Sequence, residues 1–170
     1  MRPYPAELEG EIILRDGTRL PVRPIRPDDL DRERAFFHGL SERSRFQRFM
    51  HAITDLTPEM LQRFVSPDYD RELALVALHA DRFVAVGRYA PTDDPARAEF
   101  ALVVDDRWQR KGLGRALLER LAAAARAAGY RALCGTILES NTEMLELTRR
   151  LGFEPERREG FELVVVKPLT

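Results

Sequence analysis

Apolar residues follow two rhythms along this chain. Ahead of Asp28, and again between Leu73 and Val104, they come in short runs, the habit of strands; elsewhere they recur at the spacing of one helix face. Glu11-Ile12-Ile13-Leu14 and the stretch Arg19 to Ile25 bracket Arg15-Asp16-Gly17-Thr18, which predicts a β-hairpin around an Asp-Gly turn. Pro21 and Pro24 withhold ladder donors, so the second of these strands is expected at a sheet edge. Pro27-Asp28-Asp29 starts a helix whose apolar face is set by Leu30, Phe37 and Leu40. Ser41 and Ser44 open a second helix through Phe46, Phe49 and Met50. Thr57-Pro58-Glu59 opens a third, with a Thr cap and a proline at the first helical position. These helices are expected to form a lid or one wall.

The period changes at Glu72. Leu73 to Leu78 and Phe83 to Tyr89 flank His79-Ala80-Asp81-Arg82 as a second hairpin, and Ala98 to Val104 widens it to a three-stranded meander. Leu113, Leu117, Leu121, Ala124 and Ala128 then line one face of a long helix from about Lys111, which Gly129 ends as a left-handed cap. A strand from Arg131 to Leu138, a helix from Asn141 to Leu151 closed by Gly152, and a strand from Phe161 to Val166 complete the chain. Strands that come first and then alternate with two helices predict an α/β (α+β) three-layer domain with a mixed sheet. Residues 1–10 hold two prolines and no periodicity and are expected as a flexible arm; residues 11–170 are expected as a single domain.

Charged residues make up 32% of the chain and hydrophobic ones 44%, and the net charge is −1. That balance suits a globular protein and excludes a nucleic-acid binder held by bulk phosphate neutralisation. No apolar run is long enough to span a bilayer and no signal pattern opens the chain, so a cytoplasmic protein without a membrane partner is expected. The sole cysteine, Cys134, lies in an apolar run and is read as a buried thiol. No residues have metal-ligand spacing, and His38, His51 and His79 lack a nucleophile partner.

Candidate chemistry concentrates in Val103-Val104-Asp105-Asp106-Arg107-Trp108-Gln109-Arg110-Lys111-Gly112-Leu113-Gly114-Arg115, between a strand and the long helix. Glycines there let backbone approach a ligand, and a helix start presents free N–H groups and partial positive charge to an anion. Arg110, Lys111 and Arg115 add charge suited to a pyrophosphate. The glycine spacing is not that of a dinucleotide fingerprint.

Gln109-Arg110-Lys111-Gly112-Leu113-Gly114 resembles the Q/R-x-x-G-x-G/A acyl-CoA loop of the GNAT family of N-acetyltransferases. Arg23 to Asp29 and Leu40 to Phe49 are similar to Pat-type protein lysine acetyltransferases, which modify acyl-CoA synthetases. The resemblance implies the GNAT fold, a central mixed and mostly antiparallel sheet with helices on both faces, and acetyl-CoA as cosubstrate without metal. It implies that backbone groups of Leu102, Val103 and Val104 pair with the pantetheine arm as an added strand. Amides of Gln109 to Gly114 would hold the pyrophosphate, and Asn141 stands where many members place a cofactor-binding Asn. Family members often carry a tyrosine acid seven residues later; this chain has Thr148. A thiol with a pKa of about 8.5 leaves readily, so the reaction does not demand that acid.

A lysine amine, with a pKa near 10.4, must lose a proton before it attacks, and Glu99 resembles the catalytic Glu of Pat-type enzymes. The implied reaction is direct attack in a ternary complex, on a lysine of an acceptor protein, by a monomer or homodimer. A small-molecule amine acetyltransferase and a non-catalytic acyl-CoA-binding module are the alternatives. Simpler roles also stand open. Glu99 could pair with Arg97, Asn141 could serve only as a helix cap, Trp108 could pack under the loop, and Arg43, Arg45 and Arg48 could form either a solvated face or a surface for an acidic partner.

Overall fold

The computed structural model describes residues 1–170. Eight strands form one sheet: β1 (Gly10–Ile13), β2 (Arg19–Pro24), β3 (Leu73–His79), β4 (Arg82–Pro91), β5 (Arg97–Val104), β6 (Ala132–Leu138), β7 (Glu154–Glu159) and β8 (Glu162–Pro168). Their order is β1-β2-β3-β4-β5-β6-β8-β7, and every pairing is antiparallel except β5 with β6. Five helices complete the fold: α1 (Leu30–Gly39), α2 (Glu42–Phe49), α3 (Pro58–Val65), α4 (Leu113–Ala127) and α5 (Thr142–Arg150).

Strand alternation sorts the core onto the two faces of the sheet. In β3 every residue from Leu73 to Leu78 is buried, as expected of a strand covered on both sides. Leu73, Leu75 and Ala77 pack with the α4 stripe Leu113, Leu117, Leu121 and Ala125. Ala74, Val76 and Leu78 pack with Phe36 of α1, Leu40 at its end and Val65 of α3. The first three helices are thus one wall of the domain. Asp29, fully buried at the start of α1, fastens that wall to the sheet by two 2.7 Å bonds from the Arg23 guanidinium and a 2.8 Å bond from the Arg26 amide.

The expected edge position of Arg19 to Ile25 is corrected. β2 is an inner strand, between β1 and β3. Its prolines are tolerated because each is paired on one side only: Pro21 lies opposite Glu11 of β1 but before the β3 register begins, and Pro24 lies opposite Leu75 of β3 but beyond the β1 register. The sequence reading also contains no counterpart of β7. That strand is exposed at every position, so it has no apolar alternation to show, and its charges protect the sheet edge it forms. At the chain start, Arg2 N–H donates to the Asp68 carbonyl at 3.0 Å, and Tyr4 meets Tyr69 edge-on at 5.8 Å.

β5 and β6 pair only through Arg97–Ala132, Ala98–Leu133 and Glu99–Cys134 and then part. The Phe100 ring wedges the gap. It packs so closely on Gly135 that a methyl there would lie 2.7 Å from Phe100 Cζ, and it meets Phe153 edge-on at 5.4 Å.

Candidate acyl-CoA site

The parted strands open into a cavity of about 830 Å³, walled by β5, β6, the loop before α4, and the start of α5. That volume is in the range of sites for ligands of cofactor size. Of the residues expected to bind the cofactor or catalyse, all lie on its wall except Lys111 and Leu113. Leu113 instead turns its side chain into the core.

The loop is built from its fastenings inward. Asp105 accepts from the Arg107 amide at 2.9 Å, and Asp106 accepts from the Ser41 amide, the Ser41 hydroxyl and the Ser44 hydroxyl at 3.0, 2.8 and 2.9 Å. Burial pushes the Asp106 carboxyl up, but these donors outweigh it and hold the group below the usual carboxylate range. Trp108 packs on the His79 ring at 4.8 Å, beneath the loop. Arg110 (φ 63°) and Gly112 (φ 87°) are both left-handed, and Gly112 is the N-cap of α4. Beyond Trp108, the N–H groups of Gln109 through Arg115 donate to no protein acceptor; the next amide, of Ala116, returns to the Gly112 carbonyl at 3.2 Å. A row of free amides at the positive end of a 15-residue helix is the arrangement that binds phosphate oxygens.

Basic side chains surround this row. Arg110 is paired with Glu143 at 2.6 Å and Arg115 with Glu119 at 3.1 Å. Arg15, from the turn between β1 and β2, also lines the cavity, and its Nε lies 3.6 Å from where a methyl on Gly112 would be. Nothing local in the hairpin pattern marked Arg15; only the sheet brings it to the loop.

The strand edge facing the gap follows from register. The Asp105 amide donates to Val84 of β4, and the Ala96 carbonyl accepts from Ala132 of β6. Alternation therefore turns the backbone polar groups of Leu102 and Val104 toward the gap and those of Val103 toward β4. The Val104 carbonyl is taken by Gln109 Nε2 at 3.0 Å, which ties the loop to the strand end.

Glu99 stands at the other end of the slot, where β5 and β6 part. It is exposed, and its Oε2 accepts from the Thr136 hydroxyl at 3.0 Å. Arg97 pairs with Glu156 at 2.6 Å and leaves Glu99 without that partner. Asn141 caps α5, its Oδ1 accepting from the Met144 amide at 3.2 Å, and it also lies on the cavity wall. Thr148 is buried, and its hydroxyl donates to the Leu145 carbonyl at 3.0 Å, so it presents no acid to the slot. Cys134 is buried within the ladder between β5 and β8, and burial raises its thiol pKa. In α2, Arg45 is committed to the Phe37 and His38 carbonyls, whereas Arg48 turns toward the slot.

Comparison with known proteins agrees with this geometry. The Acetyltransferase (GNAT) family profile matches residues 34–153. The acetyltransferase PA5475 of Pseudomonas aeruginosa is 34% identical over 148 residues, covering 85% of this chain and 80% of its own. The crystal structure of the GNAT domain of S. lividans PAT superposes with a TM-score of 0.93 at 31% identity, over 98% of this chain and 99% of that one. An N-acetyltransferase from Staphylococcus aureus Mu50 shares the fold, with a TM-score of 0.74 at 18% identity, over 90% of this chain and 100% of that one. The expected mostly antiparallel mixed sheet with helices on both faces is what the structure and these relatives have in common, and no helix is long and apolar enough to cross a membrane. With a matching profile across most of its length and a curated acetyltransferase 34% identical over 85% of it, the chain belongs to the GNAT family of acetyltransferases, enzymes that transfer an acyl group from acyl-CoA.

Proposed function

We propose that residues 11–170 act as one catalytic domain that moves an acetyl group from acetyl-CoA to a lysine side chain of another protein. The observation that carries this reading is the placement of two unlike ends on one slot: the free amides of Gln109 to Arg115 at one end and the Glu99 carboxylate at the other. The diphosphate would bind the amides, and the pantetheine would lie along the polar edge offered by Leu102 and Val104. The thioester then reaches the point where β5 and β6 part, beside Glu99.

Glu99 takes a proton from the incoming ammonium. The freed nitrogen attacks the thioester carbonyl, the C–S bond breaks as the nitrogen sheds its second proton to water, and coenzyme A leaves as a thiolate that takes a proton back from water. Direct transfer is favoured because Cys134, the sole cysteine, is buried in the ladder with its thiol donating to the Ala98 carbonyl at 3.5 Å, and burial together with the negative charge of Glu99 opposite it raises the thiol pKa and disfavours the thiolate. The lysine acceptor is supported by similarity along nearly the whole chain to the GNAT domain of S. lividans PAT.

The test is to incubate the protein with labelled acetyl-CoA, purified acyl-CoA synthetases and a panel of small amines, and to locate the label by mass spectrometry. Label on a lysine Nζ of a synthetase is expected. Label confined to small amines would overturn the lysine reading, and label on Cys134 would overturn direct transfer.

A further inference from the structure

Behind Glu99, on the face of the sheet covered by α1, α2 and α3, lies a group of charges that the transfer step does not use. Arg88 of β4 donates to the Phe64 carbonyl at 3.2 Å and to Glu33 Oε1 at 3.4 Å, with its guanidinium 4.6 Å from the Phe64 ring centre. Glu33 is buried, and its second oxygen, Oε2, has no hydrogen-bond partner. Arg48 of α2 completes the group. Its guanidinium lies 4.6 Å from the Phe49 ring centre and 5.9 Å from that of Phe64, and it lines the same slot as Glu99 and Thr136.

Of the basic residues of the slot, only Arg48 and Arg15 lack a protein acceptor, and Arg15 lies at the opposite end, beside Gly112. Arg110, Arg115 and Arg150 each pair with a carboxylate, whereas Arg48 donates to no protein acceptor. Burial, with a contribution from Arg88, lowers its pKa to about 10, which leaves it charged at neutral pH. Of the carboxylates whose charge acts on it, Glu33 accepts from Arg88 through Oε1 and Glu99 accepts from the Thr136 hydroxyl, and neither accepts a hydrogen bond from Arg48. Two aromatic rings thus hold a cation at the slot with its planar set of donors unused. A partly desolvated guanidinium without an acceptor is costly, and a carboxylate, which it can bind through two parallel bonds, is the group that best relieves it. The acceptor amine is itself cationic before it reacts, so the anion must come from another part of the acceptor.

We propose that Arg48 is a specificity-determining residue that binds an acidic side chain flanking the acceptor lysine, so that the preferred acceptor is a lysine next to Asp or Glu. This rests on the lysine reading above. The position of Arg48 suits it: α2 is anchored to the cofactor loop through Ser41, Ser44 and Asp106, so a carboxylate on Arg48 fixes the acceptor relative to both Glu99 and the thioester.

The test compares kcat/KM, at saturating acetyl-CoA, for two peptides that differ only in carrying Glu or Gln on either side of one lysine. Wild type should favour the Glu peptide by about tenfold. R48Q should lose that preference while keeping an unaltered acetyl-CoA Kd by calorimetry, and R48K, which retains the charge without the fork, should keep part of it. Equal rates for the two peptides in wild type, or an undiminished preference in R48Q, would overturn the role of Arg48 and leave lysine acetylation standing. Acetylation of small amines with neither peptide modified would overturn the lysine reading and this inference with it.

Discussion

Replacing Glu99 with Gln isolates the proton transfer. The amide has the shape of the carboxylate and its oxygen can still accept from the Thr136 hydroxyl, at 3.0 Å in the native site, so the side chain stays in place while its basicity is lost. An amine with a pKa near 10.4 must spend about 4–5 kcal/mol to become free at neutral pH, and a positioned base recovers roughly 10²–10⁴-fold in rate. Glu99 is exposed, so water can partly replace it, and the lower end applies: a fall in kcat of about 10²-fold, or roughly 2.7 kcal/mol of barrier. Binding of acetyl-CoA, measured by calorimetry, should not change. Thr136→Val should cost less than about tenfold in kcat, because it removes one exposed hydrogen bond and leaves the base. The assay is steady-state release of coenzyme A with a synthetase acceptor. An E99Q enzyme with wild-type kcat would refute the assignment of Glu99 as base.

Gly112→Ala forces an L residue into a left-handed conformation at about 1–2 kcal/mol, and since its methyl would sit at an ordinary 3.6 Å from Arg15 Nε, the cost is conformational rather than steric. Relief by shifting the loop should weaken acetyl-CoA binding about five- to thirtyfold, whereas Gly129→Ala, equally left-handed but remote from the slot, should lower stability and leave the Kd alone. Gly135→Ala should lower stability by about 1–3 kcal/mol in urea titration, because its methyl meets the Phe100 ring. For Asp29, burial raises the carboxyl pKa, but the Arg23 guanidinium and the Arg26 amide outweigh it and set a net lowering. Its contribution to stability is therefore full above about pH 4, where the unfolded carboxyl is ionised, and is lost as pH falls through the lower native pKa. In Tm measurements across acid pH, Asp29→Asn should be less stable than wild type above pH 4, by about 3 kcal/mol, with the gap closing on acidification; a constant gap would contradict this.

The parts of the fold and site that could be read in the sequence are those specified by neighbours along the chain. Gly112, Gly114 and the stripe Leu113, Leu117 and Leu121 sit within one strand-to-helix connection, and a local pattern suffices to show a turn, a helix start and an anion site, although Ala125 rather than Ala124 and Ala128 completes the buried face. Asn141 and Thr57 were legible as caps for the same reason. β7 was not legible because its six residues are all exposed, and no burial imposes a pattern on them. Pro21 and Pro24 misled because a proline tells only that one side lacks a donor, while the other side can still be paired. Arg15, Arg48 and Thr136 reach the slot from three separate elements, and nothing in their own segments distinguishes them from solvated residues. Likewise, the pairing of Glu99 with Thr136 rather than Arg97 depends on the register of β5 against β6.

The most direct measurement is calorimetric titration of the folded protein with acetyl-CoA and, in parallel, with S-acetyl-pantetheine, which keeps the thioester arm and lacks the diphosphate. If the amides of Gln109 to Arg115 hold the diphosphate, acetyl-CoA binds with one-to-one stoichiometry and the truncated compound binds far more weakly. Equal affinity for the two compounds, or no heat of binding with acetyl-CoA, would contradict it.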